Sequence, residues 1–351
     1  MIRHLVLLAS ATVALGACTS DRPTAPRPVV SRPDELLAIK FADTFEGPDS
    51  LFIYTLGDTV RRRLAVPALM PGFNGSWSPD GERLAVEATV DGNTDIYAIG
   101  ADGSGLLRLT THPSPDTRPV WSPDGTRIAF ESDRDGNSEI YVMRADGTRQ
   151  TRLTFSDFED RRPLWSADGS RIIFDSRRDG NSEIYSFRTD GTGLVNLTNN
   201  PATDIFARVQ PNGSRLLFTS LRSGSVEKYV MNLDGSGLIS LGSGFGGDWS
   251  PTGKYVTFSS RRSGDTEIYA VHSDSLAASP RRLTTSAGKD EAPLISPDDS
   301  MVAFTTARHD LSSLDLYVMR LDGSNARRLT NGGFTYPLAW RPRPGTTRQG
   351  Q

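Results

Sequence analysis

The chain has 351 residues, a formal net charge of −3 and a single cysteine, Cys18. The slight negative charge argues against a nucleic-acid-binding protein, because such proteins need a basic surface. One cysteine excludes a disulfide within the chain, so the fold must be held by packing. After the N-terminus, no apolar run approaches the roughly 20 residues that a membrane-spanning helix needs.

The N-terminus has the pattern of a secreted, lipid-modified protein. A short basic start at residues 1–4 precedes an apolar run of 11 residues, Leu5–Leu15, which is too short to span a bilayer. The run leads into the sequence Leu-Gly-Ala-Cys at residues 15–18. A leucine three residues before a cysteine, with small residues between them, resembles the lipobox of bacterial lipoproteins. The resemblance implies cleavage before Cys18 and acylation of this cysteine.

We therefore predict a signal peptide at residues 1–17 and a lipid anchor on Cys18. The alternative is an ordinary secretory signal cleaved near Ala17, which would leave a free thiol. Two or three acyl chains hold a protein firmly at a membrane, whereas one chain binds only weakly. Thr19 stands where the inner-membrane retention signal of lipoproteins has Asp, so we expect the outer membrane. The Pro-rich residues 18–34 are predicted to form an extended tether.

The rest of the chain repeats one unit. Seven equivalent positions carry Trp77, Trp121, Trp165, Val209, Trp249, Ile295 and Trp340, and the first four are 44 residues apart. Around them recur Trp-Ser-Pro-Asp-Gly, an Arg-Ile-Ala-Phe strand, Ile-Tyr, Asp-Gly and Leu-Thr. Each unit reads as four short strands joined by tight turns at the Asp-Gly pairs. Such a period with several strands predicts an all-β fold, a β-propeller in which each repeat is one blade.

The strand count predicts seven four-stranded blades closed by the two chain ends. The last first strand, residues 337–340, has no strands after it, and residues 36–64 supply three degraded strands without a first one. Each end provides what the other lacks, and closure removes exposed sheet edges. Six blades are the alternative, if the N-terminal stretch only decorates the ring. We expect one propeller domain at residues 35–342 and a disordered tail at residues 343–351.

The repeated phrase resembles that of TolB-type propellers, and it covers residues 36–342. The resemblance is specific for the fold because the motif recurs along the chain. Members of that family are periplasmic and bind other envelope proteins through a propeller joined to a further N-terminal domain. We expect this chain to lack that domain and to carry a lipid anchor instead. The resemblance therefore implies a protein-binding module whose partner it does not identify.

An aspartate recurs five residues before the tryptophan position. The four copies are Asp116, Asp160, Asp204 and Asp290. Ring symmetry places them near the mouth of the central channel, where an acidic ring could attract a cation or a basic segment of a partner. The alternative is that each carboxylate holds the backbone of its own connection.

A second repeated pair brackets the loop between the second and third strands. The copies are Arg134 with Glu139, Arg178 with Glu183, Arg222 with Glu227, Arg262 with Glu267, and Arg308 with Asp315. We predict an ion pair across each hairpin that fixes this loop.

The variable connections between blades are the predicted interface. The connection at residues 155–162 carries exposed aromatic and charged side chains suited to protein binding, with residues 111–118 beside it. Its candidate interface residues are Phe155, Phe158, Glu159, Arg161 and Arg162.

These features predict a monomeric, non-enzymatic propeller that binds an envelope protein or peptide. It would contact the membrane only through its lipid anchor, facing the periplasm or the cell surface. No histidine cluster of the kind that holds zinc can be assembled, and no nucleophile-elbow motif occurs, so we predict no catalytic residue, metal or cofactor. A propeller that holds a cation or a saccharide in its channel is the alternative, and an enzyme of lyase or hydrolase type comes third.

Overall fold

The computed structural model describes residues 34–41, 49–57, 61–69, 75–309 and 312–343. Within these residues the chain forms seven antiparallel sheets of four strands each, arranged as the blades of a propeller. The predicted signal peptide, Cys18 and the tether up to residue 33 lie outside the described residues, as do residues 344–351. No helix in the described part has the length and apolar character that crossing a membrane requires.

The strands follow one another in the predicted order. Blade 1 contains β28 (Phe334–Trp340), β1 (Glu35–Phe41), β2 (Asp49–Thr55) and β3 (Arg61–Leu69). Blade 2 contains β4 (Gly75–Trp77), β5 (Arg83–Val90), β6 (Asn93–Gly100) and β7 (Leu107–Arg108). Blade 3 contains β8 (Asp116–Trp121), β9 (Arg127–Ser132), β10 (Glu139–Arg144) and β11 (Thr151–Arg152). Blade 4 contains β12 (Asp160–Trp165), β13 (Arg171–Ser176), β14 (Glu183–Arg188) and β15 (Val195–Asn196).

Blade 5 contains β16 (Asp204–Val209), β17 (Arg215–Ser220), β18 (Glu227–Asn232) and β19 (Ile239–Ser243). Blade 6 contains β20 (Phe245–Trp249), β21 (Tyr255–Ser263), β22 (Asp265–His272) and β23 (Arg281–Arg282), with a short 3₁₀ helix (Ser273–Ser275). Blade 7 contains β24 (Asp290–Ile295), β25 (Met301–Thr306), β26 (Asp315–Arg320) and β27 (Arg327–Arg328).

The two chain ends close the ring, which confirms seven blades and rules out the six-bladed alternative. Strand β28 pairs antiparallel with β1, with Leu36 opposite Trp340. Arg341 forms an ion pair with Glu35 and donates from Nε to the Gly81 carbonyl at 2.6 Å, which ties blade 1 to blade 2. Arg341, which directly follows the last strand, therefore stabilises the closed ring.

The cores lie between adjacent blades. Trp165, for example, is fully buried and packs with Phe174 of its own blade and Ile140 of the blade before it. Its indole Nε1 donates to the Val120 carbonyl of that preceding blade at 3.0 Å. The same bond joins Trp249 to the blade before it. These two tryptophans thus supply both buried apolar surface and a hydrogen bond between blades, whereas the indole N–H groups of Trp77 and Trp121 are buried without a partner among the described residues.

Candidate binding site at the channel mouth

The first strands line a central channel of about 410 Å³. Its wall includes Arg118, Pro119, Arg162, Pro163, Leu164, Phe206, Arg208, Asp248, Ala292, Pro293, Leu294, Pro337 and Leu338. The charged side chains belong to blades 3 to 6, whereas the wall contributed by blades 7 and 1 is apolar. The channel therefore has one charged side and one apolar side.

A β-bulge in the first strand shapes this wall. Arg118, Arg162, Phe206 and Ala292 occupy the same position of the repeat in blades 3, 4, 5 and 7, and each has a φ between 51° and 57°. In these strands the register shifts beside the bulge residue. A positive φ is strained for residues other than glycine, so the surrounding hydrogen bonds must hold this conformation.

Buried carboxylates supply those hydrogen bonds in three blades. The Glu87 carboxylate accepts from the Arg118 backbone N–H at 2.8 Å, and the Glu131 carboxylate accepts from the Arg162 N–H at 2.5 Å. The Asp175 carboxylate accepts from the backbone N–H of the bulge residue of blade 5 at 3.2 Å. Each carboxylate belongs to the blade that precedes the bulge, so these bonds also join neighbouring blades.

The same carboxylates pair with the channel arginines. Arg118 lies 3.2 Å from Glu131, and Arg162 lies 2.8 Å from Asp175. Burial raises the pKa of Asp175 to about 6, although the Arg162 guanidinium beside it acts in the opposite direction. Burial likewise raises the pKa of Glu131. Cations and anions thus alternate along the charged side of the channel.

The four repeated aspartates are buried ion-pair partners. Asp160 has no exposed surface, and Arg178 donates a hydrogen bond to its carboxylate at 2.7 Å. The guanidinium carbon of Arg178 lies 4.9 Å from the centre of the Tyr185 ring. The equivalent pairs are Arg134 with Asp116 at 2.9 Å, Arg222 with Asp204 at 2.7 Å, and Arg308 with Asp290 at 3.1 Å. An acidic ring open to solvent is therefore not formed by these side chains. Each carboxylate binds an arginine side chain of its own blade, and the alternative, in which it holds the backbone of its own connection, stays a prediction.

The predicted arginine–glutamate pairs across the hairpin are wrong. Arg134 contacts Asp116, whereas Glu139 accepts from Arg152 Nη2 at 2.8 Å. Glu139 also accepts from the Thr154 hydroxyl, whose oxygen accepts from the backbone of the third strand. The equivalent acids of other blades make the same contact with their Leu-Thr threonine. The acid at the start of the third strand therefore holds the connection to the next blade, and Glu139 also accepts from Asn137 of the hairpin loop at 3.3 Å.

The predicted interface connection lies beside the channel. Phe155 is 77% exposed and Phe158 is 50% exposed. Glu159 and Arg161 form an exposed ion pair at 2.6 Å, and the Arg162 guanidinium lies 4.5 Å from the centre of the Phe206 ring. The five predicted interface residues thus extend from the exposed Phe155 to Arg162, which lines the channel.

Two charged groups of blade 5 were not predicted from the sequence. Arg208 lies on the channel wall and pairs with Asp248 at 3.5 Å. Lys228 is buried where four other third strands have isoleucine, and its Nζ donates to the Thr219 hydroxyl at 3.1 Å. The signal was present as a charged residue at a repeat position that is otherwise apolar. No group of three or more potential metal ligands occurs among the described residues.

Comparisons with known proteins agree with this architecture. Residues 37–177 and 159–342 match the TolB beta propeller domain family. Over 91 residues the chain is 35% identical to the Tol-Pal system protein TolB of Anaeromyxobacter dehalogenans (strain 2CP-C), a match covering 25% of this chain and 20% of that protein. The alignment therefore spans about a fifth of that relative's length.

Solved structures share the fold at low sequence identity. TolB from Acinetobacter baumannii is 22% identical with a TM-score of 0.55, over 87% of this chain and 81% of that one. A puromycin-hydrolyzing peptidase from Mycobacterium tuberculosis is 11% identical with a TM-score of 0.68, over 86% of this chain and 53% of that one. These likenesses concern the fold alone. Because the family pattern extends over nearly the whole described ring, the chain belongs to the TolB β-propeller domain family.

Proposed function

We propose that the protein is a lipid-anchored, extracytoplasmic propeller that binds another protein or a peptide of the bacterial cell envelope. The observation that carries this proposal is the exposed aromatic pair, Phe155 and Phe158, on the connection that leads into Arg162 of the channel wall. Exposed apolar groups rimmed by charges are typical of interaction sites, and aromatic and arginine side chains are enriched in interfaces. Arg161 and Arg162 supply the arginines next to this pair.

The aromatic pair is held in place before any partner binds. Asn137 donates to the Phe158 carbonyl at 2.9 Å and to the Ser156 carbonyl at 3.0 Å. The Ser156 N–H in turn donates to the buried Glu139 carboxylate at 3.0 Å. A connection ordered in this way loses little conformational freedom on association, which favours affinity.

The other candidate functions have less support. Binding of a cation by Asp116, Asp160, Asp204 and Asp290 would require carboxylates that reach solvent, and all four are buried under arginines. Saccharide binding in the channel has no specific observation in its favour. We propose action by binding without catalysis, since the likeness to a peptidase concerns the propeller fold alone.

The proposal is tested by crosslinking capture from native envelopes. The bait is the full chain, compared with a Phe155→Ser/Phe158→Ser variant. A matched control is Leu194→Ser/Val195→Ser, which changes two apolar residues exposed to 48% and 47% on the outer strand of blade 4. We expect one dominant envelope protein with the wild type and the control, and its loss with the Phe155/Phe158 variant.

Other outcomes would contradict the proposal at different points. A partner retained by all three baits would mean that binding does not use the aromatic pair. A partner lost by both variants would indicate a general effect of the substitutions on folding. No reproducible partner with the wild type would refute the protein-binding function itself.

The lipid anchor is tested separately. Cys18→Ser removes the proposed acylation site. We expect the wild type to incorporate labelled palmitate and to fractionate with the outer membrane, and the variant to lose both properties. A variant that still fractionates with membranes without label would contradict anchoring through Cys18.

A further inference from the structure

A second cavity, of about 270 Å³, lies beside the channel on blade 4. It lies between the connection that carries Glu159 and the next connection, at Thr203. Three arginines line it: Arg161, Arg162 and Arg177. We call this cavity the arginine pocket.

The repeat itself shows that folding does not require these arginines. Position 161 corresponds to Thr117, Ile205 and Glu291 in blades 3, 5 and 7. Position 177 corresponds to Asp133, Leu221, Arg261 and Ala307 in blades 3, 5, 6 and 7. Residues that serve the fold recur from blade to blade, as the tryptophans do. Arginine at both positions together occurs in blade 4 alone among these blades, so we seek its reason in binding.

Most hydrogen-bond donors of the three arginines have no partner among the residues that the structure describes. A guanidinium carries five N–H donors. Within the described residues, Arg161 donates to Glu159, Arg162 to Asp175, and Arg177 through Nε to Ser182 at 3.2 Å. The Nε atoms of Arg161 and Arg162 are buried without a partner in the described part of the chain. The pocket thus has more N–H donors than hydrogen bonds to its own acceptors.

The charge balance of the pocket is positive. Among the residues that line it, three guanidinium groups face two carboxylates, Glu159 and Asp175, while Glu131 outside the lining also attracts Arg161 and Arg162. The pair between Glu159 and Arg161 is exposed, with 49% and 42% of the two side chains accessible. Exposed pairs contribute little stability, so an incoming anion can replace Glu159 at low cost. Asp175 stays engaged with Arg162 beneath the pocket.

We propose that the arginine pocket binds a small oxyanion, a carboxylate or a phosphate group. The planar guanidinium fork matches the oxygens of both groups, and converging arginines are the usual means of recognising them. The hydroxyl groups of Ser182 and Thr203 line the same cavity and suit a ligand that also carries hydroxyl groups. This site does not depend on the protein-binding function proposed above.

Isothermal titration calorimetry at constant ionic strength tests the proposal, with inorganic phosphate in one arm and succinate in the other. The test variant is Arg161→Gln/Arg177→Gln, which leaves the Arg162–Asp175 pair in place. The matched control is Arg144→Gln/Arg320→Gln, which removes two exposed arginines at the ends of third strands on the opposite face. If the double test variant does not fold, Arg177→Gln alone serves in its place.

We expect saturable binding of at least one anion to the wild type and the control, and binding at least about tenfold weaker in the test variant, since each tenfold is ~1.4 kcal/mol. The arm that binds identifies the ligand as a phosphate or a carboxylate. Equal weakening in both variants would show a net-charge effect and overturn the site. Absence of saturable binding in both arms would also overturn it. Neither result bears on partner capture through Phe155 and Phe158.

Discussion

The buried amine of Lys228 gives the sharpest prediction of stability. The side chain is 1% exposed at the seam between blades 5 and 6, with one hydrogen bond, to Thr219. Burial, and to a smaller extent the Arg208 charge, lowers its pKa from 10.5 to about 7, although Asp248 acts in the opposite direction. We expect Lys228→Met to stabilise the protein, because methionine has a similar length and carries no charge.

The magnitude follows from the shift in pKa. At about 1.36 kcal/mol per pKa unit, a fall from 10.5 to about 7 destabilises the fold by on the order of 4 kcal/mol near neutral pH. Above pH 10.5 the amine of Lys228 is neutral in both states and this destabilisation is absent. Between pH 10.5 and 7 only the unfolded state binds the proton, so stability falls as the pH falls. Below pH 7 both states are protonated and the difference stays constant.

The assay is the free energy of unfolding in denaturant at pH 7 and pH 9, for the wild type, Lys228→Met and Lys254→Met. Lys254 is an exposed lysine and serves as the matched control. We expect the wild type to gain roughly 2 kcal/mol from pH 7 to pH 9 relative to Lys228→Met. The control should follow the wild type at both values. A Lys228→Met variant with the same pH dependence as the wild type, or one less stable at pH 7, would refute the reasoning.

Three further predictions concern the stability of the propeller. Arg178→Met leaves the Asp160 carboxylate buried without its cation and should lower the free energy of unfolding by about 3–5 kcal/mol; a loss below 1 kcal/mol would contradict the buried pair. Gly247→Ala would place a Cβ 2.0 Å from a carbonyl oxygen of β21, whereas Gly246→Ala meets no atom within 4 Å. The first should be roughly 1–3 kcal/mol less stable than the second, and equal stabilities would contradict the packing. Deletion of β28 leaves β1 unpaired on one side, and we expect aggregation in size-exclusion chromatography rather than a stable monomer.

Much of the fold could be predicted because the same pattern of strands and turns recurs in several copies along the sequence. A single unit of four short strands is ambiguous, but recurrence of the Trp121 phrase fixes strand order, turn positions and blade count together. Closure followed from counting strands at the two ends. These inferences succeeded because they depend on local turn chemistry and periodicity, both of which the sequence displays directly.

The contacts of the charged groups could not be predicted in the same way. The sequence places Arg134 five residues from Glu139, yet the arginine pairs with Asp116, 18 residues away, on the adjacent strand. Both Asp116 and Glu139 lie opposite Ser132, one on each side of the second strand. Which acid the arginine reaches depends on where its side chain crosses the sheet. That choice is three-dimensional, and short separation along the chain was a misleading guide.

At the bulge positions several blades carry side chains in a backbone conformation that favours glycine. Blade 6 has glycines, Gly246 and Gly247, around this position, and glycine adopts a positive φ with no steric penalty. Blades 3, 4 and 5 instead have Arg118, Arg162 and Phe206, each in a conformation that disfavours a side chain. Glycine would avoid this backbone strain, although Arg118 and Arg162 also form ion pairs with the buried Glu131 and Asp175. These strained side chains lie on the channel wall, and their position there supports the proposal that a partner binds at the channel.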